Sequence, residues 1–348
     1  MKSLKEVHNT LNAHVPWYRQ HPHRVLAGVL AAIAILVGLC LMPSGSSHSG
    51  LTAEEQAQRD SAALHVALMP VHDCIPAYYA QRMGIYERLG LDLRILTLQA
   101  QLDTDTALMR GRAELIYSDL ARAIFMQQDT TPLRAVAATE GELQLITARR
   151  GRVRQLSQLK ERMVAVARHS ITDYWSDRLT DTARMARDDI FRPQINDVRI
   201  RTDMLCNGTM DAAFLPAPYA QEALLRGNKS NFTTCSLQPR LTAFVASEAA
   251  TKDSTRIRQM QLFFQGYNEA VTALNDGGVH DTLVVMYKQL ILTPDSLIDS
   301  LLCTTPRYAP VTAPQRSDAE TALRWLQTRG KVRQGYSPDS LLFPIKFE

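Results

Sequence analysis

Asp73, Asp119 and Glu140 each follow a short apolar run, and that repeated placement is the first sign of chemistry in the chain. In open α/β sheets the loops beyond the carboxyl ends of the strands line the ligand crevice. Three carboxylates at neighbouring strand ends, with His72 and Ser118 beside two of them, would favour a ligand bearing amino groups or positive charge. A second group points the other way. Arg168-His169-Ser170-Ile171-Thr172-Asp173 follows the apolar run Met163–Ala167 and precedes a helical pattern. Ser170 or Thr172 can cap that helix, and its free amides, with His169, suit an anion. Tyr219, after Pro216-Ala217-Pro218, would form a wall of the same crevice. Each candidate also has a purely structural use: Asp73 and Asp119 can cap the helices that follow them, and Ser170 and Thr172 theirs.

Positioning these groups requires strands and crossover helices, which residues 64–120 supply in order. Leu64–Met69 is an apolar run of strand length ended by Pro70, and Pro76 opens a helical pattern that continues to Tyr86. Leu91–Leu98 alternates like a half-buried strand, Thr104–Arg110 is helical, and Leu115–Tyr117 is a short strand. Strand, helix, strand, helix, strand implies a parallel sheet. Ala121–Gln128 continues as a helix, followed by strands at Leu133–Thr139 and Leu143–Ala148. Further strands are expected at Met163–Ala167, Val198–Arg201, Ala212–Leu215, Thr233–Leu237 and Leu241–Ser247. Helices are expected at Tyr174–Ala186, Met204–Gly208, Ile257–Leu274, Asp281–Leu290, Pro294–Cys303 and Ser317–Thr328, with Trp325 and Leu326 as core.

Gly84-Ile85-Tyr86, Gly90-Leu91-Asp92-Leu93 and Ala107-Leu108-Met109-Arg110-Gly111-Arg112-Ala113-Glu114 together resemble the opening of the periplasmic substrate-binding proteins of the alkanesulfonate, nitrate and thiamine-pyrimidine type. Glu114 stands where that family usually has Asp. The stretch "CNGTMDAAFLPAPYAQEALLRG" resembles its second signature, with Asp211 turning the chain into a strand, and the likeness covers most of residues 62–330. It implies an α/β, two-lobed fold of the type 2 periplasmic-binding-protein kind with the ligand cleft between the lobes. Lobe one would comprise residues 62–148 and 241–348 and lobe two residues 149–240, with hinge crossings near Ala148–Gly151 and Pro239–Thr242. The implied function is capture of a small organic molecule, an aminopyrimidine (thiamine precursor) or a sulfonate-like anion, for delivery to the permease and ATPase subunits of an ABC importer. The alternative is a membrane-anchored ligand sensor or adaptor with the same fold and no transporter.

Before the globular part, Val25–Met42 runs eighteen residues without a charge. That is about the minimum that crosses a bilayer core of roughly 30 Å. Lys2, Lys5, Arg19 and Arg24 all precede it, so residues 1–24 should stay cytoplasmic, residues 43–61 should be a linker, and the rest should be exported. The expectation is a single-pass protein of the inner membrane; a cleaved signal, or lipidation at Cys40, is the rival. Of 39 basic and 35 acidic residues, four basic and one acidic lie in that lead, which leaves 35 against 34 and a nearly neutral globular part. Such a balance carries no nucleic-acid footprint.

The sequence has no phosphate-binding glycine loop, nucleophile elbow or His-Glu-x-x-His motif. His65, His72 and His169 lack metal-ligand spacing, and no cysteine cluster like that of the related pyrimidine-precursor synthases occurs. No cofactor or metal is expected, and catalysis ranks below binding. Cys206–Cys235 is the one disulfide worth entertaining, against four free thiols.

Overall fold

The computed structural model describes residues 59–127, 131–235 and 237–346. The lead, the Val25–Met42 segment and nearly all of the linker lie outside them. Among the described residues no helix is long and apolar enough to cross a membrane.

Two sheets divide the described chain. The first has the order β2-β1-β3-β9-β4, from Leu93–Thr97, Leu64–Leu68, Leu115–Asp119, Thr242–Ser247 and Leu133–Ala138. β1 pairs parallel with β2 and β3, as the strand-helix alternation requires, and β9 returns antiparallel between β3 and β4. β1 is buried except at His65 and β3 is buried throughout, so neither shows the alternation of a one-sided strand. Helices α1 (Ile75–Arg82), α2 (Gln101–Met109) and α3 (Leu120–Met126) cross between these strands. Pro76 sits in the first turn of α1, where a missing N–H costs nothing, and Asp119 caps α3 by accepting from the Arg122 amide at 2.7 Å.

The second sheet has the order β6-β7-β5-β8, from Val164–Ala165, Ala212–Pro216, Leu143–Thr147 and Lys229–Thr233. It carries helices α4 (Ile171–Thr182), α5 (Val198–Cys206) and α6 (Tyr219–Leu225). After β9 come the long helix α7 (Ser254–Asp276), then α8 (Asp295–Thr304) and α9 (Arg316–Thr328). The aromatic centre of lobe one is Phe244 of β9, with Phe263, Phe264 and Tyr267 of α7 edge-on to it.

Four expectations change. Leu143–Thr147 belongs to the second sheet and not the first, so the outward crossing is Thr139–Glu142, not Ala148–Gly151. Val198–Arg201, expected as a strand, opens helix α5, because Asp197 accepts from the Ile200 amide at 2.9 Å and caps it. The edge strand of lobe two is Lys229–Thr233 instead of Thr233–Leu237. Helix α8 packs against α6 of lobe two, although the whole carboxyl-terminal region was assigned to lobe one. Cys206 is a free thiol, as are Cys74 and Cys303, so the Cys206–Cys235 bridge does not form.

Candidate functional site

The two lobes meet over a narrow cavity of about 70 Å³, room for roughly five water-sized spheres at ~10–15 Å³ each. Lobe one contributes the loop after β1, the end of β3 and Gln101; the crossing contributes Gly141 and Glu142; lobe two contributes Ile171, Thr172, Arg201 and the end of β7.

Asp73 organises the crossing. One carboxylate oxygen accepts from the Tyr117 hydroxyl at 3.0 Å, the Thr139 hydroxyl at 2.5 Å and the Gly141 amide at 3.0 Å. Gly141 is obligatory here. Its φ is +56°, and a Cβ would lie 1.8 Å from Thr242 Oγ1 on the return strand. Both crossings are thereby tied together, with Thr139 N donating to the Thr242 carbonyl at 3.1 Å.

Asp119 joins the lobes directly. While its Oδ1 caps α3, its Oδ2 accepts from Gln101 Nε2 at 2.8 Å and from the Ile171 amide, at the start of α4 in lobe two, at 3.0 Å. Burial pushes the carboxyl up, and the Gln101 hydrogen bond is the largest opposing effect. The positive end of α4 therefore already faces a protein carboxylate, as an anion would occupy it. Ser118, also fully buried, lines the same corner and donates to Asp105 at 3.3 Å.

His72 is half-buried beside Asp73, stacked on Tyr308 at 4.3 Å between ring centroids. Its backbone N–H donates across the cleft to the Ala217 carbonyl at 2.8 Å. Nε2 lies 3.3 Å from the Arg307 carbonyl, whereas Nδ1 is buried without a partner. Desolvation lowers its basicity, with Asp73 the main opposing influence, so the ring is neutral near pH 7.

Arg201 is the largest departure from the sequence reading. It is 4% exposed, lines the cavity, and donates from Nη1 to the Ile195 carbonyl at 3.0 Å, but its Nε has no partner. Burial pushes the guanidinium down to about 10, opposed only by nearby Asp197, whose carboxylate is spent on capping α5. It remains a cation at neutral pH. No carboxylate forms an ion pair with it among the described residues.

The remaining candidates divide. Thr172 lines the cavity and accepts from the Ala167 amide at 2.8 Å, while Ser170 caps α4 and is buried away from the cavity lining. His169 lies outside the cavity, stacked on Phe125 at 4.3 Å and bordering a separate basic depression with Arg168, Arg329 and Lys331. Glu140 is exposed and pairs with Arg240 at 3.2 Å; its neighbour Glu142 faces the cavity instead. Tyr219 is fully buried in the core of lobe two under Arg199, and its hydroxyl has no partner. It is core, not wall.

Gln101, Glu142 and Arg201 were missed. A signal for Arg201 existed: after the cap at Asp197, Val198, Arg201, Thr202 and Leu205 fall at the i, i+3, i+4, i+7 spacing of a buried helical face, and all four are buried.

Two α/β lobes joined by two crossings, with a cavity between them, define the fold of the periplasmic binding proteins. Residues 71–238 match the family described as NMT1/THI5 like, so the resemblance read from the sequence holds over the stretch that contains the second lobe and both crossings' approaches. No curated protein matches the chain in sequence. The alkanesulfonate-binding protein from Xanthomonas axonopodis pv. citri bound to MOPS superposes with a TM-score of 0.67 at 15% identity, covering 81% of this chain and 98% of that one. The periplasmic nitrate-binding protein from Synechocystis PCC 6803 gives 0.67 at 12% identity, over 81% and 86%. The desulfurization enzyme DSZB gives 0.56 at 12%, over 81% and 96%. At these identities the likeness is one of fold, and folds of this kind host both binding and catalysis.

Proposed function

We propose that this chain is a solute-binding protein that closes its lobes around a small organic molecule and delivers it to an ABC importer. The observation that carries the reading is Arg201, a buried cation without a counter-ion in the cavity between two hinged lobes. A buried unpaired charge is costly, and an acidic solute would neutralise it. Names of the structural neighbours support the same class, because the alkanesulfonate- and nitrate-binding proteins take anions.

The site therefore favours the sulfonate-like reading over a purely cationic one. Of the carboxylates expected to receive a positive ligand, Asp119 is already satisfied on both oxygens by protein donors and Asp73 on one. Catalysis has less support: the neighbours' names are mostly those of binding proteins, with the desulfurization enzyme DSZB the exception.

Native mass spectrometry of the purified full chain, followed by a thermal-shift screen of small sulfonates, carboxylates and aminopyrimidines, tests the reading. A solute at a hundred times its Kd should stabilise the fold by about 2.7 kcal/mol. Absence of any bound small molecule, together with no saturable shift across the screen, would refute solute binding. Co-purification with a permease and ATPase pair tests the delivery step.

A further inference from the structure

The cavity contains a second unsatisfied charge, of the opposite sign to Arg201. Glu142 lines it from the crossing between the lobes and makes no hydrogen bond or ion pair among the described residues. Beside it stands His72. Because Nε2 is held at 3.3 Å by the Arg307 carbonyl, it carries the proton of the neutral ring, and the buried, unpartnered Nδ1 is an acceptor. No ion pair joins Arg201 to Glu142 within the described residues, so each charge is left for the ligand. The surfaces between them, Val71, Leu143, Pro216 and Ala217, are apolar.

Resting on the solute-binding reading above, we propose that the solute is a small zwitterion. Its acidic group lies on the Arg201 guanidinium, and its ammonium, or another charged N–H donor, lies on Glu142 and His72 Nδ1. A short aliphatic spacer fills the apolar middle. A cationic ligand would leave buried Arg201 unpaired and a simple anion would leave half-buried Glu142 without a partner in the cavity, and that asymmetry is what makes the site selective. The cavity volume of about 70 Å³ limits the spacer to a few carbons. Asp119 takes no part in holding the ammonium, since protein donors use both its oxygens, whereas Asp73, whose three donors all fall on Oδ2, keeps Oδ1 for a further N–H of the ligand.

Calorimetric titration of the full chain with 4-aminobutyrate and 3-aminopropanesulfonate, and with butyrate, propanesulfonate and butylamine as singly charged counterparts, tests this. At least one zwitterion should bind ten-fold or more tighter than its singly charged relatives. Arg201→Gln and Glu142→Gln should each weaken it by ten-fold or more, with the fold verified by circular dichroism. Glu142→Gln should also abolish the preference, so that the simple anion binds as well as the zwitterion; a merely structural role would not move that ratio. Equal binding of anion and zwitterion, or an unchanged preference in Glu142→Gln, overturns the zwitterion while leaving solute binding intact, as would a co-purified solute of one charge. If none of the five binds and no small molecule co-purifies, both readings fall.

Discussion

Asp119→Asn separates the two tasks of that carboxylate. Asparagine is as good an N-cap as aspartate, so its side-chain oxygen can keep the 2.7 Å bond from the Arg122 amide and the start of α3 should persist. Its amide nitrogen then faces two donors, the Ile171 N–H and Gln101 Nε2, where the wild type has an acceptor 3.0 and 2.8 Å away. Of the bonds lost, only the one to Ile171 spans the lobes. A hydrogen bond to a charged group contributes about 1.5–3 kcal/mol, and burial of Asp119 as a carboxylate already offsets part of that, so about 2 kcal/mol is the expected loss from closure. At ~1.4 kcal/mol per factor of ten, this shifts the open–closed equilibrium roughly 30-fold. Other inter-lobe contacts, such as Trp325 Nε1 to Asp177 at 2.8 Å and Arg329 to Asp173 at 2.8 Å, remain, so closure should weaken and not vanish. Small-angle scattering should show a larger radius of gyration in the absence of solute, and solute affinity should fall in parallel. A variant that loses thermal stability yet keeps wild-type compactness and Kd would show that Asp119 only caps its helix, and the argument for an inter-lobe role would fail.

Gly141→Ala places a methyl group against Thr242 at a left-handed backbone position, so the two crossings cannot keep their present spacing; soluble yield and melting temperature should fall sharply, and a wild-type melting curve would disprove the clash. Tyr219→Phe deletes a buried hydroxyl that bonds to nothing, so stability should be unchanged or slightly raised and solute affinity untouched; a large loss of binding would return Tyr219 to the cleft wall. His72 and His169 should contribute a loss of stability on acidification below about pH 6.5, because burial lowers their affinity for protons relative to the unfolded chain, and Asp105, pushed up to about 6 by burial, opposes it at the acid end. Between their lowered folded values and ~6.5 the unfolded state binds more protons, so the free energy of unfolding rises with pH. Denaturant titrations from pH 7.5 to 5 should show that slope, flattened in His72→Gln, and an unchanged slope in that variant would exclude His72 as a contributor.

The first sheet was readable because its strands are short apolar runs punctuated by Pro70, Gly90 and Gly111, and a parallel order is the simplest way to bury them. The lobe boundary was harder to read. Leu133–Ala138 and Leu143–Thr147 are alike in composition and only four residues apart, and nothing local says that one pairs with β9 and the other with β7. That choice is tertiary. It depends on Gly141, where the left-handed turn and the contact with Thr242 bring the crossing segments together.

The same distinction separates the site residues found from those missed. Strand-end position places His72, Asp73, Ser118 and Asp119 in the cavity lining, but it could not say which carboxylates the protein would satisfy internally. Asp119 accepts three hydrogen bonds spread over both oxygens and has little acceptor capacity left for a solute, whereas the three bonds to Asp73 all fall on one oxygen and leave its Oδ1 open. Conversely, Arg201 was hidden by a wrong secondary-structure period: on a strand it would alternate with Ile200, whereas on α5 it shares the buried face and Ile200 is exposed. On the proposed reading, the ligand's charge follows from the groups the protein leaves unspent, Arg201, Glu142, His72 Nδ1 and one Asp73 oxygen, rather than from the density of acids at the strand ends. A substitution that freed Asp119 from Ile171 would accordingly change the electrostatics of the site as much as one that removed Arg201, because both alter the balance of buried charge that the solute has to complete.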